Sequence, residues 1–186
     1  LAICSDGTVY KNINKTYMVR KIEKRLKRLQ KQVSRKYEKN KKGKEYVKTK
    51  NIIKLEKQIQ QVHRRLANIR NNYLHQTTTN IVKTKPYRVV IEDLAVSDMM
   101  KNKHLSDAIR KQGFSEFRRQ LEYKCNFRGI KLVVADRFYP SSKSCSQCGK
   151  IKKDLKLKDR VYKCSCGLNI DRDLNASINL SKYKSA

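Results

Sequence analysis

The sequence predicts a mixed α/β protein with a helical hairpin near its start and a cysteine knuckle near its end. Three observations support this fold class. Short β-prone runs alternate with helical periodicity over residues 87–135. Two basic segments over residues 11–75 carry apolar residues at three–four spacing, and two close cysteine pairs follow after residue 140. The 186 residues suffice for one medium domain, or for one domain with a small insertion.

The charge balance indicates a polyanionic partner. The chain has 46 basic and 16 acidic side chains, which gives a formal net charge of +30. Such an excess destabilises a compact fold through self-repulsion unless a polyanion neutralises it. Nucleic acid is the natural partner. No membrane partner is expected, because the sequence has no long apolar run and no lipidation signal.

The first part of the chain predicts a β-hairpin followed by two helices. Asp6-Gly7 separates two β-prone runs within Leu1–Tyr10, and so small a hairpin needs a sheet to join. Two apolar stripes with a polar turn between them then predict an antiparallel helical hairpin. The first stripe is Met18, Ile22, Leu26, Leu29 and Val33. The second is Ile52, Leu55, Ile59, Val62, Leu66 and Ile69.

The basic faces of this helical hairpin are either merely solvated or in contact with phosphate groups. The net charge favours phosphate contact. The candidate residues in the hairpin are Arg28, Arg35, Lys36, Arg64 and Arg65.

Residues 87–135 predict a strand, a helix and a second strand. Tyr87–Glu92 is a β-prone run that ends in an acid, and this acid is either a metal ligand or a solvated loop residue. Phe114–Phe127 has helical periodicity, and Ile130–Ala135 is apolar enough for a strand covered on both faces. Leu174–Tyr183 predicts a last helix with Leu174 and Ile178 on its inner side.

The cysteine pairs predict a zinc site. Cys145 and Cys148 have the spacing Cys-x-x-Cys, and Cys164 and Cys166 the tighter spacing Cys-x-Cys. Four thiolates on two tight turns complete a tetrahedral shell around Zn²⁺, which makes the site structural and not catalytic. Disulfides or free thiols are the alternatives. Metal-type spacing favours a reducing compartment, so we expect a cytoplasmic, nucleoid-associated protein.

The two remaining cysteines, Cys4 and Cys125, are predicted to be small buried apolar residues. Lys143, just before the knuckle, is a further candidate for phosphate contact. Asp171 and Asp173 lie at the start of the last helix, where the helix dipole favours negative charge, so at least one of them has a possible capping role.

Three segments resemble the C-terminal half of the TnpB proteins of bacterial insertion sequences, relatives of the compact RNA-guided CRISPR nucleases. They read VVIEDLAVSDM, DRFYPSSKSCSQCG and YKCSCGLNIDRDLNASINL. The resemblance implies an RNase H-like (RuvC) mixed sheet, with residues 1–140 as a partial nuclease domain and residues 11–75 as an inserted helical hairpin. Residues 141–168 would be a zinc ribbon, and residues 169–186 the last RuvC-like segment and helix.

The resemblance also implies a chemistry, in which three carboxylates hold two divalent ions, Mg²⁺, for phosphodiester cleavage of DNA directed by a guide RNA. By motif, Glu92 matches the second acid. Asp173 matches the third, with Asp171 as the alternative. Arg172 and Asn175 are motif neighbours that either contact nucleic acid or support the site.

The family's first aspartate belongs to a GIDLG-type segment just before the hairpin that starts here at Leu1. We therefore expect a fragment that lacks the first strand of its sheet and one metal ligand, and that has no significant nuclease activity alone. A non-catalytic nucleic-acid-binding remnant or a nuclease-dead regulator is the alternative. A generic zinc-ribbon DNA-binding protein would leave Glu92 and the DRDLN segment unexplained.

Overall fold

The computed structural model describes residues 1–156 and 158–184, which form two compact units. Asn12–Leu74 form one, called here the hairpin unit. Leu1–Lys11 and His75–Ala186 form the other, called the α/β unit. Within the described ranges, no helix is both long and apolar enough to cross a membrane.

The regular elements alternate between strands and helices along the chain. The strands are β1 (Ala2–Ile3), β2 (Val9–Tyr10), β3 (Lys41–Lys42), β4 (Glu45–Tyr46), β5 (Arg88–Glu92), β6 (Lys131–Ala135), β7 (Val161–Lys163) and β8 (Asn169–Asp171). The helices are α1 (Tyr17–Lys39), α2 (Lys50–Lys83), α3 (Val96–Lys101), α4 (Ser106–Gln112), α5 (Phe114–Phe127) and α6 (Arg172–Ser181). The predicted α/β class is confirmed.

The hairpin unit consists of α1, the first part of α2 and the short β3–β4 pair between them. Its core is formed by Val19, Ile22, Leu29, Val62 and Leu66. The inclusion of Met18 in the first stripe was wrong, because Met18 is 61% exposed and Val19 only 1%. Both residues have helical spacing to Ile22, so the pattern alone does not show which edge of the stripe faces the partner helix.

The centre of the α/β unit is the parallel pair β5–β6, in which Val90 lies opposite Val133. The connection between these strands runs through α3, α4 and α5. Leu121 and Cys125 of α5 pack with Val82 and Ile130 beside the strands. Cys125 is 1% exposed, as predicted for a small buried residue, whereas Cys4 is only half-buried.

The predicted hairpin at Asp6-Gly7 is present, with β1 and β2 antiparallel. In the described residues it pairs only with itself and shares no backbone ladder with β5 or β6. Helix α6 contacts both β1 and β5. The hairpin and the parallel pair are therefore linked by α6 packing and not by shared backbone hydrogen bonds.

Candidate functional site

The four cysteines of the knuckle lie together at one point. Their sulfur atoms are all within 4.8 Å of one another, and the Sγ atoms of Cys145 and Cys166 are 3.6 Å apart, as are those of Cys148 and Cys164. A disulfide requires about 2.05 Å between sulfurs. A tetrahedron with metal–sulfur bonds of about 2.3 Å has sulfur–sulfur edges of about 3.8 Å. The arrangement therefore fits a four-thiolate metal site and not two disulfides.

Two tight turns aim these sulfurs at one point. The N–H of Gly149 donates to the carbonyl of Cys145 (2.9 Å), and the N–H of Gly167 to the carbonyl of Cys164 (3.1 Å). Both glycines have positive φ angles (76° and 93°), which residues other than glycine rarely adopt. The second turn closes although its cysteines are separated by only one residue. The antiparallel pair β7–β8 extends directly from this turn.

The thiols of the second turn differ in acidity. The backbone N–H of Cys166 favours the thiolate of Cys164 and lowers the pKa of that thiol to about 6. The N–H of Leu168 favours the thiolate of Cys166, but the neighbouring sulfur of Cys164 outweighs it and raises the pKa of Cys166 to about 12. Sulfurs this close resist joint ionisation unless a cation lies among them. A divalent metal ion bound among the four sulfurs would provide that positive charge.

Helix α6 holds the knuckle through buried amide side chains. Asn175 is 0% exposed, its Nδ2 donates to the carbonyl of Ser144 (2.7 Å), and its Oδ1 accepts from the N–H of Ser146 (3.0 Å). These two serines flank Cys145. The prediction of a nucleic-acid contact for Asn175 was therefore wrong, because its amide is buried and bonded to the protein backbone. The alternative, support of the site, agrees with the structure.

The inner face of α6 also differs from the prediction. Asn175, Ala176 and Asn179 are its buried residues, whereas Leu174 and Ile178 are only half-buried. Asn179 donates from Nδ2 to the carbonyls of Ser141 and Ser144, at 2.7 and 2.8 Å. Helical periodicity of apolar residues cannot reveal a face whose partners are backbone carbonyls of a distant loop.

The two acids predicted from the motifs line one cavity of about 870 Å³. Glu92 is the last residue of β5, and Asp173 lies in the first turn of α6. Asp171 is the helix cap, since its Oδ1 accepts from the N–H groups of Asp173 (2.9 Å) and Leu174 (3.0 Å). The capping role thus belongs to Asp171, whereas the Asp173 side chain is 56% exposed at the cavity.

The cavity is rich in arginine. Arg137 donates from Nη2 to the Asp93 carboxylate at 2.7 Å, and Arg118 reaches the same carboxylate at 3.4 Å. Glu122, the third acid of the lining, pairs with Arg118 at 2.9 Å. Asp93 and Glu122 are therefore paired with arginine, and Asp173 has a longer contact of 3.7 Å between its Oδ1 and Nε of Arg172. Sequence reasoning did not assign Arg118 or Arg137 to the site. For Arg137, its position directly after β6 and Asp136 was the available signal.

The remaining predicted contacts lie in both units. Arg28, Arg35, Arg64 and Arg65 are exposed on the hairpin unit, and Lys36 is half-buried. In the α/β unit Lys143 is exposed. The Arg172 side chain is 15% exposed and lines the cavity, and its Nη1 donates to the carbonyl of Lys156 (3.3 Å) in the loop before β7.

Comparison with known proteins agrees with the resemblance noted from the motifs. The family profile described as "Probable transposase" matches residues 1–103, more than half of the chain. The chain belongs to the TnpB family. In this TnpB-family chain, a second profile, "Cas12f1-like, TNB domain", matches residues 114–180, which include the knuckle and α6.

Two curated relatives of this TnpB-family chain bear the name "Putative RNA-guided DNA endonuclease". The protein from Streptomyces pristinaespiralis is 42% identical over 130 residues, which is 70% of this chain and 32% of the relative. The protein InsQ of Escherichia coli K12 is 35% identical over 196 residues, which is 97% of this chain and 45% of the relative. The chain thus spans less than half the length of either relative.

A solved structure titled "Cryo-EM structure of the Cas12f1-sgRNA-target DNA complex" contains a chain of similar fold. The TM-score is 0.55 at 23% identity, over 69% of this chain and 38% of that one. This similarity supports the α/β fold.

Proposed function

We propose that the chain is the C-terminal part of an RNA-guided DNA endonuclease and supplies most of a metal-dependent nuclease site. The observation that carries the proposal is the convergence of Glu92 and Asp173 on one arginine-rich cavity. The names of the two curated relatives support this reading. DNA and a guide RNA would be the partners, and a nucleoid-associated location in the cytoplasm follows from such partners.

We further propose that the α/β unit is an RNase H-like (RuvC) sheet with an additional strand between the hairpin and β5. In the described residues β5 has β6 as its one partner, so its other edge is available for pairing. The hairpin strand β1 and β5 both contact α6 and border the same cavity. A strand between them would carry the third carboxylate to the cavity that holds Glu92 and Asp173.

The donor set at the cavity fits Mg²⁺, which prefers hard oxygen ligands and keeps several waters. Glu92 and Asp173 would hold it, and when bound it would supply an activated water and stabilise the leaving oxygen in phosphodiester cleavage. Arg137 and Arg118 bind and orient phosphate groups that enter the cavity. Asp93 holds both guanidinium groups at the rim until a phosphate competes for them.

We also propose a structural zinc ion in the knuckle formed by Cys145, Cys148, Cys164 and Cys166. Soft thiolates select Zn²⁺, and four of them leave no position for a substrate. The knuckle corresponds to the ribbon at residues 141–168. The hairpin unit corresponds to the insertion at residues 11–75, which would lie along the guide–target duplex through its exposed arginines.

The deciding experiment uses the intact protein that contains this chain, loaded with its guide RNA. Glu92→Gln and Asp173→Asn should each lower the cleavage rate at least about 100-fold, because each removes a metal ligand, and should leave DNA binding unchanged. Asp154→Asn is the matched control, since Asp154 is an exposed acid that does not line the cavity. Loss of DNA binding in the first two variants would contradict the assignment.

The same experiment tests a second candidate function, a non-catalytic nucleic-acid-binding protein. The pairing of Glu122 and Asp93 with arginine favours this alternative. It leaves Glu92 and Asp173 as carboxylates for metal ions, one fewer than the three that the two-ion chemistry implied by the resemblance uses. A wild-type protein that binds guide and target but cleaves neither would establish this alternative. For Leu1–Ala186 alone, the expectation of no significant cleavage stands as a prediction, and robust Mg²⁺-dependent cleavage would refute it.

A further inference from the structure

The loop that enters the knuckle is attached to Glu92 through a buried serine. Ser141 is 5% exposed, and its Oγ donates to Oε1 of Glu92 at 2.6 Å. Glu92 itself is exposed at the end of β5, where water would otherwise leave its side chain free to change rotamer. A hydrogen bond to one carboxylate oxygen restricts that movement and leaves the second oxygen available to a metal ion.

The backbone of Ser141 is in turn held by α6. Its carbonyl accepts from Nδ2 of Asn179 at 2.7 Å, and Asn179 is 5% exposed. The same Nδ2 donates to the carbonyl of Ser144, the residue before Cys145. Tyr139, two residues before Ser141, donates from its hydroxyl to the carbonyl of Asn179 at 3.2 Å. The loop therefore cannot move at Ser141 without disturbing α6 and the first knuckle turn.

These contacts connect three parts of the proposed machinery. Asp173 stands on α6, Cys145 on the loop that α6 holds, and Glu92 at the end of the hydrogen bond from Ser141. Partners that orient a metal ligand commonly change metal affinity by 10–100-fold when they are removed.

We propose that Ser141 is a positioning residue for Glu92 and that it couples the acid site to the folded state of the knuckle. The inference rests on the proposed function, since it assumes that Glu92 is a metal ligand. A folded knuckle keeps Ser141 in place, and Ser141 keeps Glu92 turned toward the cavity. Loss of the knuckle metal loosens the loop at Cys145 and weakens binding at an acid site that contains no sulfur.

The test uses Mn²⁺ as the probe and nuclear magnetic resonance of the zinc-loaded intact protein that contains this chain as the readout. Mn²⁺ broadens the amide signals of residues near its site, so its affinity follows from the broadening at Glu92 and Asp173. We expect Ser141→Ala to bind Mn²⁺ about 10-fold more weakly than wild type, and Ser141→Thr, which keeps the hydroxyl, to recover most of the loss. Ser142→Ala is the matched control, because Ser142 lines the cavity with no hydrogen bond to Glu92.

A separate variant tests the coupling between the knuckle and the acid site. Cys148→Ser, which removes one sulfur of the knuckle, should weaken Mn²⁺ binding to a similar extent. The double variant with Ser141→Ala should show little further loss, because both changes break the same connection. Wild-type affinity in Ser141→Ala would overturn the positioning role, and wild-type affinity in Cys148→Ser would overturn the coupling.

A third variant separates failure of this inference from failure of the proposed function. Glu92→Gln should abolish most of the broadening near β5. If Glu92→Gln binds Mn²⁺ as the wild type does, or if the wild type shows no broadening there, Glu92 is not a metal ligand and the proposed function fails at this site. If Glu92→Gln is impaired and Ser141→Ala is not, only the inference fails. Unchanged knuckle signals in Ser141→Ala show that the variant is folded.

Discussion

Replacement of Asn175 by alanine should weaken the knuckle without touching any of its cysteines. The amide of Asn175 is fully buried and bonds to the backbone on both sides of Cys145. Alanine keeps the helical conformation of α6, so the change removes the two hydrogen bonds with little effect on the helix itself.

The expected loss of stability follows from the hydrogen bonds that the two backbone partners of Asn175 retain after the substitution. The carbonyl of Ser144 still accepts from Asn179 at 2.8 Å, so its loss is one net hydrogen bond, about 1 kcal/mol. The N–H of Ser146 loses the acceptor at 3.0 Å, and an unsatisfied donor costs about 1–3 kcal/mol. Asn175→Ala should therefore lower the free energy of unfolding by about 2–4 kcal/mol.

Two measurements check this expectation. Competition with a chromophoric chelator should show zinc affinity reduced about 10-fold or more, and urea unfolding should show the loss of stability. Asn169→Ala is a suitable control, because Asn169 is exposed on β8, directly after the second knuckle turn. If Asn175→Ala retained both the zinc affinity and the unfolding midpoint of the wild type, the buried amide would not support the knuckle.

Two further predictions concern stability in each unit. The Arg119 guanidinium beside Glu116, together with the amide of Gln120, lowers the pKa of the Glu116 carboxyl to about 2 from its ordinary 4.5. Because the folded-state pKa is the lower one, this stabilisation is present above pH 4.5 and is lost as the pH falls from 4.5 to 2. Glu116→Gln should lower the free energy of unfolding by about 1 kcal/mol at pH 7, after allowance for solvent screening. In urea unfolding, the stability of this variant should depend less on pH between 4.5 and 2 than that of the wild type. An unaltered pH dependence would contradict the assignment. In the hairpin unit, Leu66→Ala at a position 3% exposed should cost about 2–5 kcal/mol and should accelerate amide hydrogen exchange over residues 12–74. Arg64→Ala, on the exposed face of the same helix, should leave exchange there nearly unchanged, and equal acceleration in both variants would argue against a core centred on Leu66.

Local patterns identified much of this fold. The strand at Tyr87–Glu92 and the helix at Phe114–Phe127 were predicted from periodicity, and the structure has β5 and α5 there. The knuckle could be predicted because four cysteines at short spacing have few alternative uses in such a context. In each case the signal lies within about twenty residues, so no knowledge of distant contacts is needed.

The features that the sequence did not predict depend on contacts between residues far apart in the chain. The apolar stripe of helix α2 was followed only to Ile69, but the helix ends at Lys83. Buried Thr77 and Thr78 interrupt the stripe before it resumes at the buried Val82. Thr78 there is 0% exposed and donates to Gln120 at 3.0 Å, a contact between residues 42 positions apart. The cavity arginines were missed for the same reason, since Arg137 finds Asp93 only after β5 and β6 pair.

The polar inner face of α6 has a consequence for how securely Asp173 is placed. Contacts between apolar side chains are non-directional, so a helix with an apolar inner face can rotate or shift slightly at a small cost in free energy. Hydrogen bonds are directional, and the amides of Asn175 and Asn179 each reach backbone carbonyls of the loop at 2.7–2.8 Å. A turn of α6 by even one residue would break these bonds together. The helix is thus locked in a single register, and the acid at its start is fixed with it.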